Sequence, residues 1–279
     1  MSLTLMYITN EPDIARIAEN AGIDRIFVDM EYIGKSERQR GMDTVQSHHT
    51  ISDVKRVKNA VCSAEVLVRV NPIHDAAVDY CSSEEEINAA VNAGADVIML
   101  PFFKTAQEAE YFIQLVAGRA KTMLLVETPE AVEAIDDILK LKGIDEIHIG
   151  LNDLSLGYGR KFMFELLADG TVEKLCLKFG LSRIPYGFGG IASLGKGMLP
   201  AEYIIKEHYR LGSSCVILSR SFCDVSKVGD IKQVEDIFNT GIQGIRSLEQ
   251  QCAKYAMDSS YFTDNHKEIV KRVQMICGI

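Results

Sequence analysis

The sequence has seven cysteines, at 62, 81, 176, 215, 223, 252 and 277, and no two of them form a Cys-x-x-Cys pair. An odd, scattered set of this kind excludes a disulfide framework and reads as reduced thiols, mostly small core residues. Cys223 has no histidine near it in sequence, so nothing local marks it as a nucleophile. Positive charge is also in short supply: 30 Lys+Arg stand against 39 Asp+Glu, a formal net charge of -9. That balance argues against nucleic acid or an anionic membrane as the main partner. No apolar run approaches the ~18–20 residues of a membrane span. The opening residues Met1-Ser2-Leu3-Thr4 lack a basic segment followed by a long apolar stretch, so no signal peptide is read and the expected location is cytoplasmic. What is present is ordinary for a globular protein: 47% hydrophobic and 25% charged residues in a chain of 279, enough for one large domain.

Eight short apolar runs recur along the chain, at residues 3–9, 25–30, 65–70, 97–100, 123–126, 146–150, 185–188 and 215–218. Helical patterns separate them. Asn10 stands as a cap before a helix over 11–20, Thr50-Ile51-Ser52-Asp53 forms a capping box, and Ser82-Ser83-Glu84-Glu85 and Thr128-Pro129 open further helices. Strands alternating with helices at about this spacing predict a parallel (β/α)8 TIM barrel; a doubly wound open sheet is the other arrangement that would fit. No break in composition marks a second domain. Two terminal helices, over 234–257 and 265–277, lie beyond the eighth run and are expected to serve oligomer packing.

The ends of these runs carry the chemistry. Asp29, Glu31, Arg69, Glu127, Asp153 and Arg220 all fall at or just past the C-terminal end of a predicted strand, the face where barrel enzymes build their sites. If the fifth and sixth runs are neighbouring strands, Glu127 and Asp153 share one rim. Two converging carboxylates repel unless a cation lies between them, and oxygen ligands suit Mg2+ or Mn2+. The structural alternative is that Glu127 favours a helix N-terminus and Asp153 caps a loop. Arg69 is costly at the end of a core strand unless it meets an anion: a substrate carboxylate or enolate, or the side chains of Asp29 or Glu31. Residues 34–49 lack an apolar period and carry Arg38, Arg40, His48 and His49. A loop of that length is usually functional, and at most one of two adjacent histidines can face a given point. His148 lies inside a strand run and reads as packing. The stretch from Gly187 to Gly197 is a near miss to two phosphate-binding patterns, since Gly197 replaces the Ser or Thr of a P-loop and no helix opens after Gly187-x-Gly189-x-x-Ala192. It reads as a glycine-rich rim loop whose backbone, at Gly189 and Gly190, either approaches a ligand or simply turns.

Together, Phe27-Val28-Asp29-Met30-Glu31, Leu67-Val68-Arg69-Val70, Gly94-Ala95-Asp96-Val97-Ile98-Met99-Leu100-Pro101, Glu127-Thr128-Pro129-Glu130-Ala131 and Ile149-Gly150-Leu151-Asn152-Asp153-Leu154-Ser155 resemble the HpcH/HpaI aldolase/citrate lyase family over roughly residues 3–225. The resemblance implies a class II pyruvate-type aldolase in which Glu127 and Asp153 hold Mg2+ or Mn2+. Arg69 would stabilise an enolate, and backbone N–H groups near Asn152 and Asp153 would hold the carboxylate of a 2-oxo acid. It also implies a homo-oligomer, trimeric or hexameric, with exchanged terminal helices. Two positions depart from the pattern: Tyr32 stands where a histidine is usual, and Leu151 where a proline is usual. The proton-transfer role would then fall to His48, His49, Tyr32 or a metal-bound water. The long loop and the Phe188-Gly-Gly segment mark a subgroup, for which a sugar-derived aldehyde is the implied second reactant. A CoA-ester lyase or thioesterase, or a non-catalytic metabolite-binding barrel, are the alternative functions.

Overall fold

The computed structural model describes residues 2–35 and 48–278. Arg38 and Arg40 of the long loop lie outside the described residues. Eight parallel strands close into a barrel in sequence order: β1 Thr4–Ile8, β2 Arg25–Asp29, β3 Glu65–Arg69, β4 Val97–Leu100, β5 Lys121–Val126, β6 Glu146–Ile149, β7 Tyr186–Ile191 and β8 Cys215–Leu218, with β8 pairing back onto β1. The helices α1 Pro12–Asn20, α2 Ile51–Ala60, α3 Ser83–Asn92 and α4 Ala106–Val116 follow the first four strands. The Thr50/Asp53 and Ser82/Glu85 capping boxes both form and start α2 and α3. Asn10 is not a cap. Glu11 holds that position without a side-chain bond, because Pro12 already pre-sets the first turn, and Asn10 instead bonds Asp53.

After β5 the expected single helix is two short pieces, α5 Pro129–Glu133 and α6 Ile135–Ile138, broken at Ala134. Next come α7 Leu151–Gly157, α8 Glu165–Ala168, α9 Thr171–Leu181 and α10 Ala201–Leu211. The terminal helices are α11 Ile231–Lys254 and α12 Ser259–Cys277, the latter starting six residues earlier than its apolar pattern suggested because Asp258 caps it. In this chain α12 packs on α10, where Asn265 donates to the Tyr203 carbonyl at 3.0 Å and His266 meets Glu207 at 2.8 Å.

The strands alternate, and the alternation builds two cores. Ile26, Val28, Val66, Val68, Ile98, Leu100, Leu124 and Val126 face the helices, while Met6, Phe27, Leu67, Met99, Met123 and Leu125 fill the barrel. The inward positions of β2 read Arg25, Phe27, Asp29, and those of β3 read Glu65, Leu67, Arg69, paired rung by rung. The barrel interior beside β2 and β3 is therefore charged at both ends and apolar between them, with His148 of β6 as a buried polar side chain in the middle.

The start of the predicted glycine-rich loop proves to be strand, which runs on to Ile191, while residues 192–197 form turns. Gly187, Gly189 and Gly190 belong to β7, which carries a register irregularity against β8 between Gly187 and Gly190. Packing demands two of these glycines. A Cβ at Gly187 would sit 2.2 Å from the Cys215 carbonyl oxygen, and Gly189 has a positive φ of 57° with Leu151 pressed against it.

Candidate active site

A cavity of about 1070 Å3 opens at the C-terminal end of the barrel. Its wall includes Asp29, Lys35, His49, Arg69, Glu127 and Asp153. Arg220, Asn152, Gly189 and Gly190 also reach it; Glu31, His48 and Tyr32 do not.

The second and third strands supply a balanced charge cluster. Arg69 forks onto Asp29, Nε to Oδ1 and NH2 to Oδ2, both at 2.8 Å. Lys35, which sequence reading missed, reaches Asp29 Oδ2 at 3.0 Å and Glu31 Oε2 at 3.3 Å, and Arg69 Nε lies 3.4 Å from that same oxygen. Asp29, Glu31 and Lys35 are all buried. Two cations thus neutralise two carboxylates, the arrangement that makes burial of four charges tolerable. Burial works against the Asp29 carboxylate, yet Arg69 and Lys35 outweigh it and hold its pKa far below the usual range. Arg69 stays protonated despite its partial desolvation because the carboxylates of Asp29, Glu31 and Glu127 raise its pKa above the ordinary value. The only sequence trace of Lys35 was its spacing of four residues from Glu31 inside an otherwise patternless stretch.

The fifth and sixth strands supply the other carboxylates. Val126 pairs with Ile149, and Gly150 N–H donates to the Val126 carbonyl at 3.0 Å, so Glu127 and Gly150 leave the sheet side by side. Glu127 Oε1 accepts the backbone N–H of Phe102 at 3.0 Å, and Phe102 adopts a positive φ of 49°. A Cβ at Gly150 would stand 2.7 Å from both Cβ and Oε2 of Glu127, so the close approach of the two connections requires glycine there. Asp153 does not lie on a loop; it occupies the first turn of α7, which starts at once after Gly150 with no side-chain cap. Phe102 was not singled out, since a backbone N–H leaves no chemical signature in a sequence, and Gly150 entered only as part of the segment from Ile149 to Ser155.

These residues fit a divalent cation such as Mg2+ or Mn2+. Two carboxylates, one just past β5 and one in the first turn after β6, offer oxygen ligands only, and Gly150 puts no side chain against Glu127. Among the described residues no group of three or more His, Cys, Asp or Glu side chains gathers into a closed cage. A two-carboxylate site is the kind Mg2+ uses when water and substrate complete its shell.

The remaining candidates separate cleanly. His48 is exposed, whereas His49 turns inward and its Nδ1 accepts the Asp29 backbone N–H at 3.0 Å. Desolvation lowers the pKa of His49 below its ordinary value despite nearby carboxylates. Tyr32 points away, 44% exposed, and burial near Glu86 raises its pKa further from the neutral range, which removes it as a base. His148 is buried beneath the cavity floor, Nε2 donating to the Gly189 carbonyl at 3.1 Å, and burial lowers it to about 4. Cys223 borders the cavity, but burial raises its thiol, so it is not a poised thiolate. Across the cavity Ser219, Ser221 and Ser226 form a hydroxyl-bearing wall, with Ser219 and Ser221 Oγ atoms 2.7 Å apart.

Comparison with known proteins converges on one group. The family model described as HpcH/HpaI aldolase/citrate lyase matches residues 3–165. Among solved structures, an HpcH/HpaI aldolase from Desulfitobacterium hafniense DCB-2 aligns with a TM-score of 0.58 at 18% identity, covering 88% of this chain and 93% of that one. An HpcH/HpaI aldolase/citrate lyase family protein from Burkholderia cenocepacia J2315 aligns with a TM-score of 0.62 at 15% identity, covering 88% and 95%. At these identities the structures speak for the fold alone. No curated sequence matches the chain.

Proposed function

The chain belongs to the HpcH/HpaI aldolase/citrate lyase family, a family of lyases, and within it we propose that this barrel is a divalent-metal-dependent carbon–carbon lyase, an aldolase that cleaves or forms a 2-oxo acid through a pyruvate-type enolate. The observation that carries the reading is the meeting, on one cavity wall, of Arg69 with the Glu127–Asp153 rim. Glu127 and Asp153 would hold the cation, which supplies a Lewis acid for the oxo-acid oxygens. Arg69, kept cationic and fixed in direction by its fork onto Asp29, stabilises negative charge as it develops on the enolate oxygen. Preorganised donors of this kind are worth roughly 3–4 kcal/mol each. Glu31 has a supporting part, since it lies behind Asp29 and off the cavity wall. The start of α7 at Asn152 and Asp153 offers backbone N–H groups to the substrate carboxylate.

His49, rather than His48, is the histidine that meets the second reactant. A cavity of about 1070 Å3 exceeds what a pyruvate-sized molecule fills, which leaves room for an acceptor aldehyde. The serine wall after β8 favours an acceptor carrying hydroxyl groups, in keeping with a sugar-derived aldehyde. Exposed apolar side chains at Leu177, Leu181, Met257 and Met275 support a homo-oligomer in which α9 and the terminal helices meet neighbouring copies.

The test is exchange of pyruvate methyl protons in D2O, run with and without Mg2+ or Mn2+, beside cleavage assays on 2-oxo-4-hydroxy acids and on CoA esters. Metal-dependent exchange with aldol cleavage supports the reading. Turnover confined to CoA esters would move the protein to the ester lyases, and no turnover on any substrate would leave a binding barrel.

A further inference from the structure

We propose that His49 takes part as a neutral hydrogen-bond donor through Nε2–H, directed at the aldehyde oxygen of the acceptor, and that it does not carry the reaction's proton. The inference rests on the aldolase reading above and specifies how one residue serves it.

The geometry begins at α2. Thr50 is its N-cap, and Thr50 N–H donates to Asp53 Oδ2 at 2.7 Å. The backbone just after His49 is thereby fixed, and its ring lies over the end of β2. There, beyond the rung in which Thr9 N–H donates to the Phe27 carbonyl, the next outward amide of β2 is that of Asp29. It donates to His49 Nδ1 at 3.0 Å. A backbone amide can only donate, so Nδ1 must present its lone pair, and the proton of the neutral ring must sit on Nε2. Protonating Nδ1 would set two N–H groups against each other and strand the Asp29 amide.

The charged surroundings keep this state. Asp29 on β2, Asp53 on α2 and Glu11 ahead of α1 favour the imidazolium; burial and Lys35 oppose it, and the opposition prevails. A neutral imidazole with its pKa held down can polarise a carbonyl by donating to it. Asp29 then has two duties. Its carboxylate aims Arg69 and its backbone aims His49, so one residue sets both donors facing the reacting atoms.

In the condensation direction the enolate carbon attacks the aldehyde carbon. The new carbon–carbon bond forms as the carbonyl π pair moves onto oxygen. His49 Nε2–H holds that developing alkoxide, and a water molecule in the cavity supplies the proton that neutralises it, leaving hydroxide. Cleavage is the reverse: hydroxide removes the hydroxyl proton, the carbon–carbon bond breaks, and its electron pair becomes the enolate.

The experiment uses the intact protein with 15N-labelled histidine, without added metal, and reads the ring nitrogens by long-range 1H–15N correlation from pH 5 to 8. His49 is assigned by its absence in His49→Gln. The expected spectrum has a bare Nδ1 and a protonated Nε2 at pH 7, with a midpoint below 6.5. In turnover, His49→Ala should lose about 100-fold, whereas His49→Gln, whose amide can accept from Asp29 and still donate, should stay within about tenfold of wild type with an unchanged pH profile. A proton on Nδ1 at pH 7 overturns the proposal, as does a Gln variant as slow as Ala. Absence of aldol turnover in the wild type would instead remove the aldolase reading and this role with it, while the tautomer result would stand as a separate fact about the ring.

Discussion

The two ends of the β2–β3 pair carry the same chemistry in opposite order. At the N-terminal end Arg25 of β2 faces Glu65 of β3; at the C-terminal end Asp29 of β2 faces Arg69 of β3. Both arginines are bidentate. Arg25 contacts Glu65 at 2.7 Å and Glu146 at 2.8 Å, and Arg69 contacts Asp29 at 2.8 Å. What differs is what lies beyond them. Arg25 closes the barrel floor, its side chain only 4% exposed, whereas the guanidinium of Arg69 borders the cavity. Burial and pairing therefore do not separate a structural arginine from a working one. Access to a cavity holding further carboxylates does, and it follows the general division of barrels into a stabilising lower face and a chemical upper face.

The sharpest way to break this comparison is to remove each arginine in turn. Arg25→Ala strands Glu146 and weakens the setting of Glu65, which keeps Lys121 at 2.6 Å. The expected loss is about 3–5 kcal/mol in unfolding free energy, measured by urea titration, with turnover per folded molecule retained. Removing charge on both sides, as Arg25→Met with Glu146→Gln, should restore part of that stability. Arg69→Ala should behave in the opposite sense. Turnover should fall about 10^2–10^3-fold, while stability drops by only roughly 1–3 kcal/mol because Lys35 still pairs both Asp29 and Glu31. If Arg69→Ala unfolds and Arg25→Ala merely slows turnover, the assignment of the two ends is reversed.

The floor of the cavity offers a pH test of the same division. His148 is buried and its pKa is lowered to about 4, against an ordinary value of about 6.5. Above pH 6.5 both folded and unfolded chains hold it neutral. As pH falls from 6.5 towards 4 the unfolded chain takes up the proton first, so folding stability declines, by about 3 kcal/mol over that window. Below 4 this contribution levels off. Unfolding measured between pH 4 and 7 should show the slope, and His148→Gln should flatten it; an unchanged slope in that variant would assign it to other groups.

A smaller effect is expected from Gly150→Ala. The added Cβ would press on both Cβ and Oε2 of Glu127, so Mn2+ affinity should fall roughly 10–100-fold and the melting temperature should drop as well, with the fold retained by circular dichroism. Equal affinity would mean that Glu127 Oε2 is not turned toward the cation.

Much of this was legible in the sequence because the fold repeats one simple unit. Every strand sits at or within three residues of its predicted span, since buried parallel strands read as continuous apolar runs between helix caps. The rim residues Asp29, Arg69, Glu127 and Asp153 were found because polar side chains ending apolar runs stand out. The misses have other origins. Arg25 opens its strand rather than ending it, so the signal used for the upper rim passed over it. Lys35 depends on a contact made by a segment with no apolar period. Gly189 and Gly190, beyond the predicted 185–188 run, looked like a loop because glycine is rare in strands, but the strand continues to Ile191 and packing against Leu151 demands glycine at 189. Phe102 acts through a backbone N–H, which leaves no trace in residue type, and Gly150 could be told from any other glycine only by the neighbour it meets.

The most direct measurement is calorimetric titration of Mn2+ into the wild type, Glu127→Gln and Asp153→Asn, each in the presence of pyruvate, with the fold checked by circular dichroism. Glu127 and Asp153 holding one cation predicts a single site in the wild type and its loss in both variants, with spectra unchanged. Wild-type affinity retained in both variants would contradict the account.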